Sequence, residues 1–169
     1  MERLHHTSFP TPLGELTLVC SAAGVVATVF GDEEPVATLR RIEHALDAPL
    51  VRGGGCSRVA RRETESYLAG HRRAFSVPPD LSLVPDGFGL RVLEVVATIP
   101  YGELWTYGDV AGMAGSPRAA RAAGSALAGC PIELFVPCHR VVHAGGTIGG
   151  YGRHEDRKRW LLRHEGSIA

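Results

Sequence analysis

One cysteine in the sequence has neighbours that could make its thiol a nucleophile. Cys138 follows Pro137 and precedes His139, with apolar residues on both sides of the segment. A thiol reacts as its thiolate, which needs a nearby base or positive charge, and His139 is placed to act as that base directly or through a water. A carboxylate is then needed to hold the imidazole, and Glu165 is a candidate. Because a buried cysteine is commonly an inert small apolar residue, these neighbours alone leave both interpretations open.

The other three cysteines carry no comparable signal. Cys20, Cys56 and Cys130 are scattered, and no two cysteines form a C-x-x-C pair. Zinc-ribbon and thioredoxin-like sites are therefore not expected. The formal net charge is zero, whereas a nucleic-acid binder is usually basic. Any DNA-binding surface must therefore come from local clustering of arginines.

The composition predicts an ordinary globular chain. Hydrophobic residues make up 44% and charged residues 21% of the sequence, as in typical globular domains. No apolar run reaches the length of a bilayer span. The N-terminus lacks the basic start and apolar core of a signal peptide. We therefore expect a cytoplasmic location.

The first half of the chain predicts a small α/β domain. The predicted elements are strands at 16–20, 25–30 and 75–77 and helices at 35–46 and 57–68. Gly24 separates the first two strands, which is typical of a hairpin. The double proline at 78 and 79 predicts a boundary, giving an N-terminal domain at 1–79 and a second domain at 80–169.

The second half predicts a helix-turn-helix. Thr106 and Asp109 form a capping-box pattern that starts a helix from Tyr107 to about Met113. Ser116 and a following proline predict the start of a second helix, which reaches about Ala128 and carries Arg121 among alanines. A buried strand at 134–136 is then expected to deliver Cys138, and a last helix is expected at 155–165. Paired helices also occur in proteins that bind no DNA, so tight helix packing stays an alternative.

Several segments together resemble the O-6-alkylguanine-DNA alkyltransferases, also called methylated-DNA–protein-cysteine methyltransferases. The segments are Ile99-Pro100-Tyr101-Gly102-Glu103, Thr106-Tyr107, Ala119-Ala120-Arg121-Ala122, Pro137-Cys138-His139-Arg140-Val141 and Leu161-Leu162-Arg163-His164-Glu165-Gly166. They occur in the family's order over residues 88–166. The segment at 12–18 is also similar, so the whole chain resembles the compact bacterial form.

The resemblance implies roles for individual residues. Cys138 is implied to be the nucleophile and final alkyl acceptor, with His139 taking its proton through a water and Glu165 orienting His139. Tyr107 is implied to donate a hydrogen bond to the guanine. Arg121 is implied to fill the space left by a flipped nucleotide, which costs a few kcal/mol to extrude. The remaining implied DNA contacts are Ser116, Ala120 and Gly108, and the remaining implied base-pocket residues are Val141, Tyr151 and Gly152. The carbonyls of Cys138 and Val141 are implied to accept from the guanine amino group.

The resemblance also implies a fold and a reaction. The expected fold class is α+β, with a small ribonuclease-H-like N-terminal α/β domain packed on a mostly helical C-terminal domain that carries a winged helix-turn-helix. The expected function is direct DNA repair of O-6-alkylguanine in duplex DNA, with O-4-alkylthymine as a further substrate left open. The thioether product cannot be hydrolysed, so each molecule acts once. We expect a monomer that needs no cofactor, and no metal, because His5, His6, Cys20 and Cys56 do not match the zinc pattern of some relatives.

The sequence departs from the family pattern at a few positions. Cys130 stands before Pro131 where the family usually has asparagine, which puts the rigidity of the following loop in question. Gly89 replaces a common polar residue, so one DNA contact is expected to be missing. Residues 152–154 are bulkier and more basic than usual.

Three rival functions remain to be separated by experiment. An alkyltransferase-like lesion sensor binds damaged DNA without repairing it, but such proteins replace the reactive cysteine that Cys138 provides here. If the protein were a Cys-His hydrolase, Arg121 would have no function in its reaction. A purely structural DNA-binding module would leave residues 137–141 unexplained.

Overall fold

The computed structural model describes residues 1–149 and 154–169 and divides the chain into two compact units, Met1–Leu83 and Val84–Ala169. The predicted boundary at 79/80 thus falls inside the first unit. The backbone N–H of Asp80 donates to the carbonyl of Val25 at 2.7 Å, and the Ser21 hydroxyl donates to the Asp80 carboxylate. The double proline at 78 and 79 was expected to end the domain. The boundary lies further on because Asp80, which follows the prolines, is still hydrogen-bonded to the sheet.

The first unit is a four-stranded mixed sheet with two helices. Its strands are β1 (Leu4–Thr11), β2 (Gly14–Cys20), β3 (Val25–Phe30) and β4 (Leu50–Arg52), and its helices are α1 (Pro35–Leu46) and α2 (Ser57–Leu68). The sheet order is β3-β2-β1-β4. The first three strands are antiparallel, and β4 runs parallel to β1. The predicted hairpin and both predicted helices are confirmed.

The predicted strand at 75–77 is wrong. The backbone N–H of Ser76 donates to the Glu63 carboxylate at 2.6 Å, so a buried side chain of α2 holds this segment in place of a neighbouring strand. Bridging to β3 occurs instead at Pro79, opposite Val25. The short apolar run was therefore a packed loop, which periodicity alone cannot distinguish from a strand.

The second unit is mainly helical. Its elements are α3 (Phe88–Val96), β5 (Trp105–Thr106), α4 (Tyr107–Met113), α5 (Ala120–Ala128), a 3-10 turn (Cys138–Arg140), β6 (Val141–Val142) and α6 (Glu155–His164). The short strands β5 and β6 pair in parallel, and α3, α4 and α5 pack on one another. Within the described ranges, no helix has the length and apolar character needed to cross a membrane.

Two details of the second unit differ from the sequence prediction. Helix α5 starts at Ala120 rather than next to Ser116, because the N–H of Ala119 donates to the Ser116 carbonyl at 2.9 Å and closes a turn there. The predicted strand at 134–136 is a tight turn in which Leu134 has a φ of 75°. This turn brings the chain back on itself, and the backbone N–H of Val136 donates to the carbonyl of Ile132 at 3.0 Å.

Candidate functional site

Cys138 is the first residue of the 3-10 turn and is 7% exposed. Its backbone N–H donates to the Val136 carbonyl at 2.7 Å, which ties it to the preceding turn. Its carbonyl accepts from the backbone N–H of Val141. A carbonyl has two lone pairs, so this carbonyl keeps one that can accept a hydrogen bond from a ligand, the role that the family resemblance implies towards the guanine amino group.

The same turn places His139 and Arg140 against one buried carboxylate. Nε2 of His139 lies 2.8 Å from Oε1 of Glu165. Arg140 donates to that carboxylate from Nε at 2.9 Å and from Nη2 at 2.7 Å, and from Nη1 to the Ile99 carbonyl at 2.5 Å. A carboxylate at the C-terminal end of a helix opposes the helix dipole, and the Arg140 charge offsets that cost. The predicted pairing of His139 with Glu165 is therefore present, whereas no role for Arg140 was predicted from the sequence.

The surroundings of His139 keep its imidazole neutral at neutral pH. Burial lowers the pKa of His139 below its ordinary 6.5, although the Glu165 carboxylate partly opposes this. In a neutral imidazole one nitrogen carries hydrogen and the other accepts. Because Nε2 faces a carboxylate, Nε2 carries the hydrogen and Nδ1 is the acceptor. His139 is thus in the protonation state that a general base requires.

Lys158 is a functional candidate that was not predicted from the sequence. It is the only lysine in the chain, and it is 1% exposed on α6. Its Nζ donates to the Val141 carbonyl at 2.5 Å and to the Tyr107 hydroxyl oxygen at 3.4 Å. Burial lowers its pKa to about 8, although the attraction that a negative charge on Cys138 would exert opposes that change. The sequence did carry a signal for this lysine. It shares a helix face with the apolar residue Leu161 and with Glu165, because residues three and four positions apart lie on the same face of a helix.

Tyr107 is held at the start of α4 by the predicted capping box. The Thr106 hydroxyl accepts from the Asp109 N–H at 3.0 Å, and the Asp109 carboxylate accepts from the Thr106 N–H at 3.0 Å. Burial raises the pKa of Tyr107, and the repulsion that a negative charge on Cys138 would exert on the phenolate acts in the same direction. The phenol therefore keeps its proton at neutral pH and can donate it in a hydrogen bond. The Tyr107 ring packs against His143 with 4.9 Å between the ring centroids.

A cavity of about 520 Å³ opens beside Tyr107. Its lining residues are Tyr107, Ala120, Arg121, Gly124, Ser125, Ala128 and His143. Cavities of about 300–1,000 Å³ are typical of ligand sites. Gly149 approaches the Tyr107 hydroxyl so closely that a Cβ at this position would lie 2.7 Å from the oxygen, and its φ is +71°. Glycine is thus required here, and the two predicted pocket residues that follow, Tyr151 and Gly152, lie outside the described residues.

The predicted DNA-contact residues lie on and between α4 and α5. Arg121 is exposed in the first turn of α5, and Ala120 precedes it. Gly108 is exposed in α4, and Ser116 is half-buried in the turn between the two helices. Gly89 lies in the first turn of α3, where a Cβ would make ordinary contact with the Ala126 side chain at 3.6 Å.

Cys130 affects the candidate nucleophile, which the sequence did not predict. It follows the C-cap of α5. Cys130 is the largest influence that raises the pKa of Cys138 well above its ordinary 9.0, followed by burial and the nearby charge of Glu133, whereas Lys158 lowers that pKa. Cys138 is therefore a protonated thiol in this state of the protein and needs a base before it can attack.

Comparisons with known proteins agree with this geometry. Residues 87–167 match the model of the family described as 6-O-methylguanine DNA methyltransferase, DNA binding domain. A DNA base-flipping protein of Thermus thermophilus is 41% identical over 165 residues, which cover 94% of this chain and 98% of the relative. A methylated-DNA–protein-cysteine methyltransferase of Methanosarcina acetivorans is 35% identical, with 97% of this chain and 99% of the relative covered.

A solved structure extends the likeness to the three-dimensional fold. The crystal structure of Mycobacterium tuberculosis OGT in complex with DNA matches with a TM-score of 0.80 and 34% identity, over 96% of this chain and 93% of that one. This structural match spans nearly the whole chain, and so do the matches to the two sequence relatives. The chain therefore belongs to the methylated-DNA–protein-cysteine methyltransferase family.

Proposed function

We propose that this protein repairs O-6-alkylguanine in duplex DNA by moving the alkyl group irreversibly to Sγ of Cys138. The observation that carries the proposal is the arrangement around that sulfur. A neutral His139, held by Glu165, follows Cys138 in the same turn. Tyr107 and Lys158 supply two further hydrogen-bond donors on the same side of the site.

The first step of the proposed reaction is removal of the thiol proton. The high pKa of Cys138 means that the thiolate must be generated when substrate is bound. Nδ1 of His139 accepts this proton through a water, and Glu165 stabilises the resulting imidazolium. The nearby Lys158 ammonium stabilises the negative sulfur, since an opposite charge favours the charged form of a neighbouring group.

The second step is an in-line attack on a saturated carbon. Sulfur forms a bond to the alkyl carbon while the bond from that carbon to O-6 breaks, and its electron pair stays on the guanine. Tyr107 donates a hydrogen bond to the ring as this charge develops. Guanine then takes up a proton, so that the protein has exchanged its thiol hydrogen for an alkyl group. The thioether has no route back to a thiol, and each molecule therefore acts once, without a cofactor.

Access to the lesion requires that the base leave the helical stack. We propose that α4 and α5 form the helix-turn-helix of a winged domain and that α5 enters the minor groove. Arg121 then fills the space left by the flipped nucleotide, as wedge residues do in other minor-groove binders. Ala120, Gly108 and Ser116 allow close approach to the backbone. The flipped base enters the cavity beside Tyr107, with Val141, Tyr151 and Gly152 completing the pocket.

The residues proposed for this chemistry all belong to the second unit. We propose that it is a ribonuclease-H-like domain, since three antiparallel strands followed by a parallel β4 on the β1 edge agree with that topology. The whole protein would then act as a monomer on double-stranded DNA.

A second candidate function is lesion binding without repair. Two observations favour it: the relative at 41% identity is named for base flipping, and Cys130 raises the pKa of Cys138 and so opposes its ionisation. The presence of the thiol beside a neutral His139 favours repair. Both functions use the same surface, so only chemistry on the sulfur separates them.

Intact mass spectrometry distinguishes the two functions. The reduced protein is incubated with duplex DNA that carries one O-6-methylguanine, and Cys138→Ala serves as the matched control. Repair predicts that the wild-type protein gains one methyl group and that the variant gains none while still binding the duplex. Binding by both proteins with no mass gain in either would support the lesion-binding function.

A further inference from the structure

His143 lines the cavity beside Tyr107, yet the proposed reaction gives it no role. It directly follows β6. Its backbone is held by a tight turn, in which its N–H donates to the Thr147 carbonyl at 2.9 Å and its carbonyl accepts from the Gly146 N–H at 3.0 Å. The side chain itself is exposed. A fixed backbone therefore presents this imidazole to whatever enters the cavity.

Two neighbours direct the His143 ring. Its centroid lies 4.9 Å from that of the Tyr107 ring, with an angle of 44° between the two planes. A Cβ built on Gly149 would lie 3.1 Å from Nε2 of His143 and 2.7 Å from the Tyr107 hydroxyl oxygen. Nε2 and this oxygen therefore lie beside Gly149 and within about 6 Å of each other. Nε2 thus points towards the phenol that is proposed to contact the flipped base.

The path of the DNA strand places phosphates at the mouth of this cavity. This step rests on the proposed function, in which the alkylated oxygen of the flipped base reaches the buried Cys138. The sugar is attached at the other end of the purine, and its phosphates remain continuous with the duplex outside. The phosphates that flank the flipped nucleotide must therefore meet exposed side chains of the cavity lining.

His143 is the exposed donor that has no other part in the proposed complex. The described lining residues that are exposed and carry a side-chain donor are Arg121, Ser125 and His143. The Ser125 hydroxyl already donates to the Arg121 carbonyl at 3.2 Å. The Arg121 side chain is proposed to fill the space that the flipped nucleotide leaves in the stack. His143 is then the side chain that can bind a phosphate of that nucleotide.

The charges around His143 favour an anion. The described residues that line the cavity beside Tyr107 include the cation Arg121 and no carboxylate. His143 also lines a second cavity, to which Glu155 contributes. Arg159 pairs with that carboxylate at 3.0 Å, which offsets its repulsion of a phosphate.

We propose that His143 binds a phosphate that flanks the flipped nucleotide, with Nε2–H donating to a phosphate oxygen. A neutral imidazole can carry its hydrogen on Nε2, and an imidazolium always does, so both forms can make this contact. Extruding a nucleotide costs free energy. A phosphate contact at the mouth of the cavity stabilises the extruded state, while Tyr107 binds the base.

A neutral phosphate analogue tests this contact. Duplexes with one O-6-methylguanine carry either a natural backbone or a single uncharged methylphosphonate on the 5′ or the 3′ side of the lesion. Affinities are measured in a Cys138→Ala parent, so that no methyl transfer occurs during the titration. His143→Phe keeps a ring beside Tyr107 and removes the donor. His71→Phe is the matched control, because it makes the same change at an exposed histidine of the first unit.

The proposal predicts that His143 and one phosphate are coupled. At one of the two positions, the methylphosphonate should weaken binding by the parent and by His71→Phe about tenfold more than binding by His143→Phe, because a hydrogen bond to a charged group is lost. At the other position all three proteins should lose affinity equally. Equal losses by the parent and His143→Phe at both positions would overturn the proposal, even if His143→Phe binds every duplex more weakly. Methyl uptake by the protein with Cys138 intact is measured separately, so failure of repair and failure of the phosphate contact give different results.

Discussion

Lys158→Met removes the buried ammonium beside Cys138 while keeping an unbranched side chain of similar length. The pKa of Lys158 is lowered from its ordinary 10.5 to about 8 in the folded protein. This difference from the unfolded chain destabilises the folded state by about 3 kcal/mol while the lysine is charged. Because the folded pKa is lowered, this cost is full below about pH 8 and fades as the pH rises towards 10.5. Methionine removes it.

The substitution also has a structural cost. The Val141 carbonyl loses the donor that lies 2.5 Å away, and an unsatisfied buried acceptor costs about 1–3 kcal/mol. The two effects oppose each other, so we expect the free energy of unfolding at neutral pH to change by less than about 2 kcal/mol. The variant should therefore fold and melt close to the wild type, as calorimetry can show.

The effect on transfer should be larger than the effect on stability. Opposite unit charges about 4 Å apart are worth roughly 4 kcal/mol at an effective dielectric constant near 20. If only a third of this energy stabilises the developing thiolate, removing the ammonium slows methyl transfer about tenfold. Single-turnover methyl uptake by Lys158→Met should thus be at least about tenfold slower than by the wild type at pH 7. The difference should shrink as the pH rises above about 8, where the wild-type lysine is also neutral.

Arg159→Met is the matched control for the loss of a cation from α6. Arg159 forms an exposed ion pair with Glu155 at 3.0 Å, and such pairs contribute little, so its transfer rate should stay within about twofold of the wild type. A wild-type rate in Lys158→Met would refute the electrostatic role of Lys158. A rate ratio that does not change with pH would show that the lysine acts through packing instead.

The remaining predictions concern other groups in the site. Arg121→Ala should slow repair of duplex DNA and leave reaction with free alkylguanine base nearly unchanged; equal losses on the two substrates, measured by single-turnover kinetics, would contradict the wedge role. Cys130→Asn should change the transfer rate on the methylated duplex by less than about tenfold, because backbone bonds hold the loop; a much larger acceleration would show that Cys130 impairs the natural protein. Transfer should also fall as the pH drops through the pKa of His139, which lies below 6.5, because the imidazolium cannot accept a proton. A pH–rate profile that stays flat through the acidic range would exclude His139 as the base.

Local signals predicted much of the fold. Helices at Pro35–Leu46 and Ser57–Leu68 were predicted with the bounds that the structure has, because apolar spacing and flanking residues mark them. The capping box of α4 was also visible in the sequence. The turn at Leu134 was not, since leucine rarely adopts a positive φ and the surrounding structure imposes it.

The pairing of His139 with Glu165 followed from the family resemblance, whereas two of its neighbours were missed. Lys158 joins Tyr107 across 51 positions of the chain, and no local pattern indicates such a contact. Cys130 was recognised as a departure from the family, but its influence on the pKa of Cys138 depends on the path of the loop between them. Side chains that meet through tertiary folding are therefore the part of the site that the sequence could not predict.

The central claim is single-use transfer to Cys138, and stoichiometry tests it most directly. Reduced protein is incubated to completion with excess duplex that carries one O-6-methylguanine, and repaired DNA is counted against protein. Our account predicts one lesion removed per molecule and one methyl group on Cys138, which falls within the tryptic peptide 122–140. Removal of more lesions than there are protein molecules, or repair without a methyl group on Cys138, would contradict it.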